Sequence, residues 1–184
     1  MSAGHGTSGN EPTLAGLRAD MSGQLVWAPS SSSSRRFELR VRDETVATLT
    51  FDKDVGSLAT GRAHGGTWTF KRAGFLQPRV TVREAGSEYD HVVFRPTWTG
   101  SGDVEFRGGL HVHWRPFGFW NSEWAFLRAD ERLVTFHWLP DTAALDARVE
   151  FSVAALTLAE APVLLLLGWY LRVLAYLEAQ HGGS

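Results

Sequence analysis

The segment from Pro162 to Leu177 constrains the fold more than any other part of the chain. It reads Pro-Val-Leu-Leu-Leu-Leu-Gly-Trp-Tyr-Leu-Arg-Val-Leu-Ala-Tyr-Leu, and Gly182-Gly183 follows shortly after. Proline suits the first turn of a helix, where its missing N–H has no intrahelical partner to lose, and glycines suit the end. The helix so predicted, about residues 161–179, is apolar on nearly every face. A helix lying on the outside of a sheet would carry one apolar stripe and one polar face. This one must be enclosed, either by lipid or by protein.

Between Glu160 and Arg172 only eleven residues run without a charge, whereas a membrane span needs about 20 mostly apolar residues. Extending the run past Arg172 to Glu178 places an arginine in the hydrocarbon at a cost of roughly 2.5–3.5 kcal/mol. Enclosure by protein is therefore the leading expectation, with a tail anchor in a bilayer as the alternative.

The enclosing wall is legible upstream. Phe37-Glu38-Leu39-Arg40-Val41-Arg42 alternates apolar and charged residues, the period-2 pattern of a half-buried antiparallel strand. Similar runs occupy 46–51, 67–71, 79–83, 91–95, 104–107, 110–115, 123–128, 133–138 and 147–153, with shorter ones at 24–28 and 57–63. The intervening Arg42-Asp43-Glu44, Gly65-Gly66, Gly100-Ser101-Gly102, Gly108-Gly109 and Ala129-Asp130-Glu131 have turn chemistry. Short turns make neighbours in sequence neighbours in the sheet. The predicted fold is thus α+β: a closed antiparallel β-barrel of about twelve strands in a meander, enclosing the hydrophobic C-terminal helix. A ring of that size is too wide for wall side chains alone to fill. Inward residues such as Phe37, Leu39, Trp68, Phe70, Trp114 and Phe136 would supply the apolar surroundings that the helix needs.

At 184 residues the chain is about one domain. Residues 1–23, rich in Gly and Ser and without an apolar leader segment, read as a disordered N-terminal extension, and 24–184 as the folded domain. The expected location is cytoplasmic, at most peripheral to a membrane. The absence of cysteine excludes disulfides and thiolate catalysis. A net charge of −2 and the lack of a basic stripe give no reason to expect a nucleic-acid partner. No phosphate-loop, dinucleotide or nucleophile-elbow motif is present, so no cofactor is expected and the reading leans away from an enzyme.

The element order, about twelve short strands and then Ala161-Pro162-Val163-Leu164-Leu165-Leu166-Leu167 opening a terminal helix, resembles the tubby-like C-terminal domain superfamily, closest to its LURP-one-related and phospholipid-scramblase-like branches. The resemblance covers residues from about 24 to 180. It implies a barrel closed around its helix, and often a membrane-associated role, which in tubby proper is the binding of phosphoinositide headgroups through a basic surface pocket. The headgroup pocket of tubby proper does not map onto any motif of this chain.

Two residue sets are candidate sites. Arg35-Arg36, Lys71-Arg72, Arg79 and Arg83 would form a basic patch for anionic lipid. Their simpler reading is a charged outer wall, since Glu38, Glu84 and Glu88 are interspersed. His111 and His113 alternate along one strand and face the same way; with His137 they would make a three-imidazole metal site. Their simpler reading is a solvated strand face. Asp130-Glu131 and Asp52-Lys53-Asp54 read as turns, and the Ser30–Ser34 run as a loop. Phe117-Gly118-Phe119-Trp120-Asn121-Ser122 falls between strands, where its aromatics would cap the core, plug the barrel mouth or enter a lipid interface, capping being the commonest outcome. Arg172, the one charge in mid-helix, should be met by a carboxylate or carbonyl cluster, because an unpaired buried charge costs several kcal/mol.

The leading functional expectation is a non-enzymatic binding or scaffold domain engaging anionic lipid or a membrane surface. The alternatives are a metal-dependent or small-ligand protein using His111, His113 and His137, and a tail-anchored membrane protein.

Overall fold

The computed structural model describes residues 24–54, 56–138 and 145–181, so the expected N-terminal extension lies outside the described residues. Twelve strands are present: β1 (Leu25–Ser30), β2 (Ser33–Val41), β3 (Glu44–Phe51), β4 (Ala59–Ala63), β5 (Gly66–Ala73), β6 (Arg79–Glu84), β7 (Val92–Pro96), β8 (Gly102–Phe106), β9 (His111–Phe117), β10 (Glu123–Arg128), β11 (Glu131–Trp138) and β12 (Ala147–Phe151). Each pairs antiparallel with the next, and β1 closes the ring on β12 through Leu25↔Val149 and Trp27↔Ala147. Alternation sets the register. On β2, Phe37, Leu39 and Val41 are buried while Arg36 and Arg40 face out, and β5 buries Trp68 and Phe70 in the same way. A slip of one residue would turn every one of these side chains to the wrong face.

The turns follow the local chemistry. Arg42 and Ala129 take left-handed φ values of 52° at the β2–β3 and β10–β11 hairpins. The Ser30–Ser34 run is tighter than a loop: β1 ends at Ser30 and β2 begins at Ser33.

Helix α1 (Ala161–His181) starts where the sequence predicts and runs two residues beyond 179. Its N-terminus is tied by the Glu160 carbonyl oxygen, which accepts from the N–H of Val163 and of Leu164, each at 3.0 Å. Every residue from Ala161 to Tyr170 is buried. By length and composition Ala161–Gln180 is long and apolar enough to cross a membrane, yet 67% of its apolar window lies inside the protein. The barrel interior takes the place of the bilayer.

Two glycines make this threading possible. A Cβ on Gly168 of α1 would lie 2.4 Å from the Phe136 ring, and one on Gly61 of β4 would lie 2.8 Å from Phe70 and 3.0 Å from Leu166. The helix approaches the wall most closely at positions without side chains. Elsewhere aromatic rings fill the gap: Trp169 stacks on Trp27 with centroids 5.4 Å apart, and Tyr170 stacks on Phe51 at 5.7 Å.

Candidate functional site at the loop-bearing end of the barrel

A meander gives the barrel two unlike ends. The connections β1–β2, β3–β4, β5–β6, β7–β8 and β9–β10 all emerge at one end, together with the C-terminal half of α1. The hairpins at the opposite end surround the helix N-terminus. Large exposed hydrophobic side chains are concentrated at the first end: Leu58, Phe75, Leu76, Trp98, Phe119 and Trp120, against Tyr89 and Val153 at the other. Phe75 and Trp98 are 98% and 97% exposed, and Trp120 is 91% exposed.

The Phe117–Ser122 segment therefore does not cap the core. It forms a 3-10 turn entered through Gly118 at φ 75°, with Trp120 at φ 59° and Asn121 at φ 54°. That conformation is uncommon for side-chain-bearing residues, and Phe119 and Trp120 both stand in solvent. Trp114 and Trp124, on the two strands that flank the segment, stack on one another at 5.3 Å instead.

Phe75, Leu76 and Trp98 were not among the residues singled out from the sequence. Their signal was present in Gly74-Phe75-Leu76-Gln77-Pro78 and Thr97-Trp98-Thr99-Gly100, where bulky apolar residues occupy turn segments instead of alternating strands. Bulky apolar side chains left this exposed are unusual on a folded protein when several gather at one end.

The six basic residues do not make one patch. Arg36 on β2 and Lys71 on β5 stand three strand spacings apart, about 14 Å around the wall. Neighbouring residues also point to opposite faces. Arg72 turns into the barrel end and pairs with Glu178 of α1, while Lys71 faces outward. Four of the six already have carboxylate partners: Arg35 with Asp54, Arg36 with Glu38, Arg72 with Glu178, and Arg83 with Asp90 at 2.7 Å. Lys71 and Arg79 make no ion pair among the described residues and share a shallow outer groove on β5 and β6, next to the Phe75-Leu76 loop. Lys53 and Arg115, likewise without an ion pair among the described residues, lie near the same end on the β3–β4 loop and β9.

The three histidines are not brought together either. His113 lies beside Leu127 of β10, while His137 lies beside Glu123, four residues further along the same strand. Each imidazole has an acidic neighbour of its own. His113 Nδ1 is 2.5 Å from Asp103, and the two ring nitrogens of His137 are each 3.2 Å from a carboxylate, those of Glu123 and Glu150. His111 stands opposite Glu105. Among the described residues no group of three or more His, Asp or Glu is arranged to hold a metal ion.

A cavity of about 410 Å³ opens at the loop-bearing end, between α1 and the wall from β5 to β11. Its walls include Phe94, Trp98, Trp114, Trp124 and Trp138, with Arg72, Arg172 and Glu178 as its charged groups. Among the described residues Arg172 is not met by the expected carboxylate or carbonyl cluster. Its guanidinium carbon lies over the Trp138 ring, 4.7 Å from the centroid, and its Nε has no hydrogen-bond partner among the described residues. Burial holds its pKa below the usual arginine value. The long stem lets the charge reach the cavity from mid-helix, and a tryptophan face then replaces part of the lost hydration.

Comparison of the chain with protein-family models, with curated proteins and with solved structures gives no match. The functional reading accordingly rests on the geometry of this end of the barrel.

Proposed function

We propose that the protein is a binding domain that docks its loop-bearing end onto an anionic membrane surface. The observation that carries this reading is the set of bare apolar side chains Phe75, Leu76, Trp98, Phe119 and Trp120 on three successive loops at one end. Tryptophan is favoured at the headgroup level of a bilayer, where an apolar ring with one polar N–H suits the interface. Lys53, Lys71, Arg79 and Arg115 surround these loops, and each cation near an anionic leaflet contributes about 1 kcal/mol of attraction. The apolar loops would supply insertion and the cations selectivity for anionic lipid. Membership of the tubby-like superfamily, expected from the element order, is part of this proposal.

The test is vesicle co-sedimentation of the full chain with neutral or anionic liposomes at low and high salt. Binding that prefers anionic vesicles and weakens with salt is the expected result. Trp98→Ser combined with Trp120→Ser should reduce it at least tenfold, and Lys71→Glu with Arg79→Glu should abolish the anionic preference. Absence of binding to either vesicle would end this reading.

A further inference from the structure

The cavity behind the exposed loops shares the Thr97–Gly100 loop with the docking surface, and it has chemistry of its own. Among the described residues its charged lining consists of two arginines and one glutamate. Arg72 and Glu178 neutralise one another, so one positive charge, that of Arg172, is left over. Two buried N–H donors, Arg172 Nε and Trp138 Nε1, belong to residues that line this cavity and have no acceptor among the described residues. The remaining wall is mostly apolar, with Val80, Phe94, Trp114, Trp124, Leu171 and Leu174 prominent in it. A buried donor without an acceptor costs free energy that a bound acceptor would recover.

We infer that this cavity binds a single-chain amphiphile with a carboxylate head, the carboxylate at Arg172 and Trp138 and the apolar chain against Trp114 and Trp124. The head chemistry follows from the count of charges and donors. One uncompensated positive charge matches a monoanion, and two orphan N–H groups match two acceptor oxygens. A phosphate monoester, carrying close to two charges, would be under-neutralised. A cationic head would meet the guanidinium directly. The chain has room, since about 410 Å³ lies in the range of small-molecule pockets. Arg172 is already half-buried and held on a ring face, so binding need not strip a full hydration shell from it.

The inference does not depend on membrane docking, and its test uses no vesicles. The full chain is titrated by calorimetry with decanoate, decyl phosphate and decyltrimethylammonium, each below its micelle concentration. Decanoate should bind saturably at one per chain, with the cation at least tenfold weaker and the phosphate no tighter than decanoate. Arg172→Met should weaken decanoate binding at least tenfold and remove the preference over the cation. Ala175→Trp, which fills the cavity from the helix side and keeps the arginine's charge in place, should abolish binding while thermal unfolding shows both variants folded. No saturable decanoate binding by the parent chain, equal binding of the two opposite charges, tighter binding of decyl phosphate, or full affinity in either folded variant would overturn the assignment.

Discussion

The hydroxyl of Tyr170, deep in the barrel, donates to the backbone carbonyl oxygen of Ser57 at 2.5 Å, joining positions 113 residues apart. Ser57 lies in the β3–β4 loop at the loop-bearing end, and Tyr170 lies halfway along α1. The ring is clamped between Phe51 and Phe70, so the bond fixes how far the helix slides into its sheath. Burial raises the phenol well above its ordinary pKa of 10.0, so it remains a donor at any pH at which the protein is studied. Tyr170→Phe keeps the ring stacking and removes only this bond. The expected loss is about 1–2 kcal/mol, measured as a lower urea midpoint with an unchanged slope.

Gly168 tests the threading itself. Alanine is about 1 kcal/mol better than glycine in an exposed helix, so a helix free of close neighbours would be stabilised by Gly168→Ala. Here the new methyl would meet Phe136 at 2.4 Å and Phe126 at 3.0 Å. Overpacking of about 1–3 kcal/mol should outweigh the propensity gain. Thermal unfolding should show Gly168→Ala below the parent and Gly168→Val lower still.

Arg172→Met exchanges a half-buried charge for an apolar side chain of similar reach. The parent gains roughly 0.5–2 kcal/mol from the contact with Trp138 but bears the desolvation of the guanidinium. The two nearly cancel, so the variant should be within about 1 kcal/mol of the parent in chemical denaturation, or more stable. A loss above about 3 kcal/mol would mean that more than the Trp138 ring holds the charge.

Glu38 gives a pH dependence with a definite sign. Its carboxylate accepts from Arg40 at 2.6 Å and also from Ser30 and Arg36, and these bonds, that to Arg40 foremost, hold its pKa below the ordinary 4.5. A depressed folded pKa contributes stability that is complete above 4.5 and is lost as pH falls through the folded value. In melting curves at a series of acid pH values, Glu38→Gln should show a shallower decline than the parent across that window. Parallel declines would mean that the bonds seen around Glu38 contribute nothing to acid stability.

The bare loop residues should matter little to folding. Phe75→Ser, Trp98→Ser and Trp120→Ser remove side chains that are more than 90% exposed, and each should shift stability by no more than about 0.5 kcal/mol. A larger loss on any of them would show that the side chain packs in solution and is unavailable for docking.

Much of the candidate site was written in places where periodic reading looks least. Alternation locates walls, and it located the wall here because Phe37, Leu39, Phe70 and Val82 repeat every second residue. Phe75 and Trp98 lie outside any period, in turns, and stand out only against the expectation that turns are polar. The basic residues misled for a related reason. Arg35-Arg36 and Lys71-Arg72 are neighbours in sequence, but strand geometry sends adjacent side chains to opposite faces, and four of the six arginines and lysines of that set are engaged by carboxylates, one of them, Glu178, more than a hundred residues from its partner Arg72. Register separates the three histidines: His137 is offset from His113 along the barrel wall by the pairing of β9, β10 and β11.

What the sequence alone determined is the enclosure of an all-apolar helix by a meander of alternating strands, because periodicity and hydrophobicity are local properties and each half of the fold leaves the other unsatisfied. Strand number, closure and the start of the helix followed from that. Only the tertiary structure decided which end of the barrel gathers the bare aromatics, which cations are already neutralised, and that Arg172 meets Trp138 instead of a carboxylate. Those are distances between residues far apart in the chain. They depend on register and on how far the helix slides into its sheath, set by contacts such as Tyr170–Ser57 and Gly168–Phe136, which no single segment encodes.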